Sequence, residues 1–78
     1  MIYYLYMTIS KSVRKEIGTN IKAIRDKKGL IQEDVAKMAG MKANYYAKIE
    51  RGTIGTAPEK LDSIIKALKV KASDVFPS

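Results

Sequence analysis

Between Gln32 and Gly52 the chain reads QEDVAKMAGMKANYYAKIERG, with apolar residues at Val35, Ala36, Ala39, Met41, Tyr46 and Ile49. The spacing is helical, breaks once at Gly40 and then resumes. Such a pattern predicts two short helices joined by a tight turn, the first from Gln32 to Ala39 and the second from Ala43 to about Arg51. Three residues in it have separate geometric tasks. The small side chain of Ala36 lets two helices cross closely. Gly40 can take the left-handed backbone that the turn needs, and Met41 fills the apolar corner between the helices.

The flanks supply what this pair packs against. Upstream, Val13, Ile17, Ile21 and Ile24 share one face of a helix capped by Ser10 or Thr8, running to about Lys28 and stopped by Gly29. Its other face carries Lys11, Arg14, Lys15, Lys22, Lys27 and Lys28, which reads as a solvated basic surface. Arg25 borders the apolar stripe and is expected to be partly buried. Leu30 enters the core.

Downstream, Gly52 ends the second helix of the pair and Thr53 to Thr56 form a loop. Thr56-Ala57-Pro58-Glu59 has the form of a capping box, with Pro58 in a first helical turn where its missing N–H does no harm. Leu61, Ile64, Ile65 and Leu68 then line a helix ending near Lys69. A last short turn, capped by Ser73, holds Val75 and Phe76 before Pro77.

Composition narrows the chemistry. The 78 residues allow one domain, and a core of that size gives only about 3–5 kcal/mol, which favours dimerisation. With no cysteine and no histidine there are no thiols and no usual general base or metal ligand. The expectation is therefore a non-enzymatic protein without metal or other cofactor. Fifteen Lys and Arg against eight Asp and Glu give a net charge of +7, which suits a polyanionic partner.

Residues 1–9 stand apart from the domain at 10–78. Met1 to Met7, MIYYLYM, hold three of the five tyrosines. The run is too short for a membrane span or a secretory leader, so a cytoplasmic location is expected. It reads as a β-arm adding to a partner chain, as an extension packed on the core, or as sequence upstream of the real start if Met7 begins the protein. No repeat, linker or low-complexity tract suggests an appended sensor or catalytic domain.

The Gln32–Gly52 pattern, together with IGTNIKAIRDKKG and KIERG, resembles the Cro/C1-type (XRE) helix-turn-helix DNA-binding family, from about Ile17 to Phe76. The resemblance implies an all-α, five-helix lambda-repressor-like fold, with Ala43 to Arg51 as the recognition helix. It also implies an ion pair between Arg25 and Glu50. Where the family usually has a Ser or Thr cap this chain has Ile31, so the first N–H groups of the helix at Gln32 are left for a DNA phosphate, helped by the Gln32 side chain, or for water while Ile31 packs. Glu33 and Asp34 compensate through the helix dipole.

A helix in the major groove reads base edges with its exposed side chains. With Tyr46 and Ile49 turned to the core, Asn44 can bond adenine, Lys48 can donate to guanine or touch a phosphate, and Ala43 or Ala47 can lie against a thymine methyl. Lys42 and Tyr45 are phosphate contacts in this reading, as are Arg51 and the backbone of Thr53 and Ile54, although that loop carries no Lys or Arg. The Tyr46 hydroxyl is expected at the rim. Ile65, Leu68 and Val70 are candidates for a dimer interface.

The function implied is a regulator that binds a pseudo-palindromic double-stranded DNA site as a homodimer. It would repress by occupancy or activate by touching RNA polymerase, in the manner of phage repressors or restriction-modification controllers. The competing reading is a protein-interaction module, such as an antitoxin binding a toxin. A peripheral membrane role is disfavoured because the basic residues are spread over several helices.

Overall fold

In a computed structural model of the chain, residues 10–77 are described, so the Met1–Met7 segment, the 1–9 boundary and the alternative cap Thr8 lie outside the described residues. The described chain is all α, with five helices: α1 Lys11–Lys27, α2 Gln32–Ala39, α3 Ala43–Arg51, α4 Pro58–Leu68 and α5 Ala72–Val75. Helix α1 packs on α3 and α5, α2 packs on α3 and α4, and α4 meets α5. Ile17, Ile21, Val35, Tyr46, Ile49, Leu61, Ile64, Leu68 and Val75 fill the centre. These are the residues whose helical spacing marked them as apolar faces.

The turns share one chemical solution. At Gly29, Gly40, Gly52 and Lys69 the chain enters the left-handed region, and in each case two backbone N–H groups bond back to the last turn of the helix. After α2, Met41 N–H donates to Ala36 O (2.9 Å) and Gly40 N–H to Lys37 O (3.2 Å), the Schellman pattern. Glycine tolerates this backbone without a Cβ clash; Lys69, at φ 58°, is the residue that does not.

Helix α1 starts as expected, whereas the starts of α4 and α5 do not. Ser10 caps α1 and accepts from Val13 N–H at 3.3 Å. The cap of α4 is Ala57, not Thr56, because Pro58 holds the first helical position and forces its predecessor to extended backbone. Thr56 is instead buried. At α5 the cap is Lys71 and Ser73 lies inside the helix. There, and again at α2, an aspartate at the third helical position accepts from the N–H of the cap residue: Asp74 from Lys71 and Asp34 from Ile31, both at 3.0 Å. Neither Ile31 nor Lys71 has a side-chain acceptor, so each helix has half of a capping box.

Two further contacts fix α1. Asn20 Nδ2 donates to Val75 O (2.8 Å), tying α1 to α5 across the chain. Gly18 sits so close to the end of α3 that a Cβ there would lie 2.2 Å from Glu50 O and 2.6 Å from Ile49 O.

Candidate nucleic-acid interface

The pose of α3 is held by a buried polar cluster. Arg25 Nε donates to Glu50 Oε2 at 2.7 Å and Nη2 to Oε1 at 3.1 Å, a two-point pair across α1 and α3. Arg25 Nη1 also donates to Leu30 O (2.8 Å), fixing the approach to α2. Gln32 Nε2 completes the set by donating to Glu50 Oε1 (2.9 Å), so the start of α2 and the end of α3 share one carboxylate. The Arg25 and Glu50 side chains are only 9% and 2% exposed.

Burial alone would raise the Glu50 pKa. The Arg25 guanidinium, with the Tyr46 phenol and the Gln32 amide, outweighs it and holds the carboxyl below its ordinary range. The same contact with Glu50 holds Arg25 above its ordinary value, against the opposing effect of burial. The Gln32 amide therefore spends one of its two N–H donors on a structural bond and keeps the other for a phosphate, and Asp34 occupies one donor at the start of α2.

Tyr46 is fully buried, and so is its hydroxyl, contrary to the expected place at the rim. The oxygen lies close enough to the Glu50 carboxylate to feel its charge, but outside hydrogen-bonding geometry. Burial, reinforced by Glu50, pushes the phenol far above its usual pKa and keeps it neutral.

The outward side of α3 carries the residues named as base readers. Asn44 and Lys48 are exposed, while Ala43 and Ala47 are half-buried between them and the core. Ala43, Asn44 and Ala47 line an open hollow with Arg25, Ile31, Gln32 and Glu33, so the starts of α2 and α3 face the same space. Lys42 and Arg51 are exposed at the two ends of α3. Tyr45 is half-buried and leans on the core, leaving part of its ring at the surface.

Several expectations change. Ile31 does not pack: it is 55% exposed at the edge of the hollow. Thr53 N–H is taken up by Lys48 O (3.2 Å) as part of the helix terminus, and Thr53 Oγ1 donates to the same carbonyl at 3.3 Å. Its amide is therefore unavailable to a phosphate. Ile54 is half-buried against the core. Ile65 and Leu68, 8% and 1% exposed, are committed to the core of the protomer, which leaves Val70 as the half-exposed member of the expected interface trio. Gly18 and Asn20 were missed as positioning residues; a glycine inside an amphipathic helix was the available signal for the first.

Two short helices set by a buried ion pair, with small and amide side chains on the open face of the second, define a helix-turn-helix DNA-binding domain. Residues 21–75 match the helix-turn-helix family model, and the chain belongs to that family, of Cro/C1 (XRE) type. It is 34% identical over 58 residues to the HTH-type transcriptional regulator y4dJ of Sinorhizobium fredii, covering 74% of this chain and 75% of that one. Among solved structures it is similar to the clp gene regulator ClgR of Corynebacterium glutamicum, with TM-score 0.77 and 27% identity over 81% of this chain and 82% of the other. The controller protein C.AhdI of Aeromonas hydrophila matches with TM-score 0.78 and 25% identity, over 81% and 96% of the two chains. The restriction-modification controller C.Esp1396I gives 0.73 and 32%, over 77% and 78%. The chain is a DNA-binding transcriptional regulator.

Proposed function

We propose that the protein binds a pseudo-palindromic operator as a homodimer, each protomer laying α3 in the major groove. The observation that carries this reading is the exposed Asn44 and Lys48 pair flanked by the small Ala43 and Ala47, on a helix whose angle is pinned by Arg25 and Glu50. Asn44 suits adenine, which offers one donor and one acceptor in the groove; Lys48 suits guanine, which offers two acceptors. The alanines let the helix approach closely and touch thymine methyls, so part of the selectivity comes from DNA shape. Lys42, Tyr45, Arg51 and the Ile54 amide bound the helix and serve the phosphates.

A dimer follows from the small core and from the two-fold form of operators read by such helices, with half-sites about one helical turn apart. Likeness to two controller proteins favours a role of that kind over a phage-type repressor. The protein acts without catalysis, in the cytoplasm.

The test compares wild type, Asn44→Ala and Lys48→Ala on a selected duplex and on a random one at roughly physiological salt. Base reading requires the variants to lose affinity mainly for the selected duplex. Equal loss on both duplexes would reduce the two residues to phosphate contacts.

A further inference from the structure

The loop after α3, Thr53 to Thr56, has no cation of its own, and the Thr53 amide is spent on the helix terminus. The nearest charge comes from another helix. At Gly52 the backbone of α1 passes so close that a Cβ on the glycine would meet Lys15 Cα at 2.6 Å and Lys15 Cγ at 2.8 Å. The stem of Lys15 therefore lies over Gly52, in space that any other residue would fill, and Lys15 remains exposed. Lys11 stands one turn earlier on the same side of α1, also exposed. Neither lysine forms an ion pair among the described residues, whereas Lys22 is engaged with Asp26 and Lys66 with Asp62.

We propose that Lys15, backed by Lys11, is a DNA phosphate-binding site that replaces the missing charge of the loop. The inference rests on the placement of α3 in the major groove. A helix of about 10–12 Å diameter fills a groove about 12 Å wide, so whatever touches the flank of its C-terminal end stands over a sugar-phosphate strand. The crossing of α1 at Gly52 puts Lys15 at that flank, next to the exposed Arg51. The contact carries no sequence information. Its role is to set the depth and tilt of α3 by holding the backbone beside its last turn.

The experiment measures affinity of the full chain for a random-sequence duplex across a series of salt concentrations, for wild type, Lys15→Gln, Lys11→Gln with Lys15→Gln, and Lys66→Gln. Each lost phosphate contact lowers the slope of log affinity against log salt by about 0.9. The expected result is a fall of about that size for Lys15→Gln and a larger one for the double variant. Lys66→Gln, which changes the net charge equally, leaves the slope near wild type. Thermal melts of the variants confirm that they stay folded. An unchanged slope in folded Lys15→Gln overturns the proposal, as does an equal fall in Lys66→Gln, which would mean that only overall charge matters. Both results leave the major-groove reading standing. In this experiment that reading fails if wild type binds no duplex, and this inference then falls with it.

Discussion

Replacing Arg25 by Met tests the claim that a buried ion pair sets the recognition helix. The substitution keeps an unbranched stem but removes both bonds to Glu50 and the one to Leu30 O. It leaves a carboxylate that is 2% exposed with only the Gln32 amide as a full hydrogen-bond partner. Breaking a buried pair on one side costs about 3–5 kcal/mol. A chain of 78 residues has a total stability of roughly 4–12 kcal/mol, and a core this small puts it near the low end, so the loss is most of it. With a urea m-value of about 1.5 kcal/mol/M, a loss of about 4 kcal/mol moves the unfolding midpoint down by about 2–3 M.

Far-UV circular dichroism in urea at neutral pH reads this directly. The companion variant Arg25→Met with Glu50→Leu removes both charges and regains most of the loss, because an apolar pair of similar volume is tolerated where a single stranded charge is not. A cost below about 1 kcal/mol for Arg25→Met would refute the reasoning. So would a double variant no more stable than the single one.

Four other outcomes follow from the same geometry. The Glu50 carboxyl has a folded pKa below its unfolded value of 4.5, so its stabilisation is complete above that pH and disappears as the pH falls through the folded value. Acid titration of stability should therefore be shallower in Glu50→Gln than in wild type, the difference isolating Glu50 from the exposed Asp26, which is also lowered by its bond to Lys22. Gly18→Ala should cost about 1–3 kcal/mol in urea unfolding despite its better helix propensity, since its Cβ meets Glu50 O at 2.2 Å, whereas Gly40→Ala, with open space around it, should cost only about 1 kcal/mol from its left-handed backbone. Lys69→Gly should raise the melting temperature, by about 0.5–1 kcal/mol of stability, because φ 58° suits glycine. Tyr46→Phe should cost less than about 1 kcal/mol in urea unfolding, since the hydroxyl makes no full hydrogen bond and supplies only part of what keeps Glu50 ionised.

The helices were legible because each buries one apolar stripe, and stripes such as Leu61, Ile64, Ile65 and Leu68 are written directly in the spacing. Gly40 and Gly52 were readable for the same local reason, and both take the left-handed backbone. Cap positions were less so. Thr56 and Ser73 have the right chemistry for a cap, but Pro58 and the Asp74 carboxylate place the helix starts at Ala57 and Lys71 instead.

Long-range contacts carried little local signal beyond the glycine inside α1. Asn20 finds Val75 O, and Gly18 finds Glu50, only once α1 has crossed the other helices. Ile65 and Leu68 illustrate the reverse error: an apolar residue reads alike whether it serves a core or an interface, and here the core claims both. On the recognition face the sequence placed Asn44 and Lys48 at the surface. It could not show that Gln32 is drawn to Glu50, because that bond depends on the angle between α2 and α3.

The most direct test of the account is selection of bound duplexes from a random pool at about physiological salt, where contacts to phosphate alone are weakened. The account predicts recovery of a two-fold symmetric motif with half-sites about one helical turn apart, as two copies of α3 would read it. Folded protein that recovers no motif would contradict the assignment of Asn44 and Lys48 as readers of sequence.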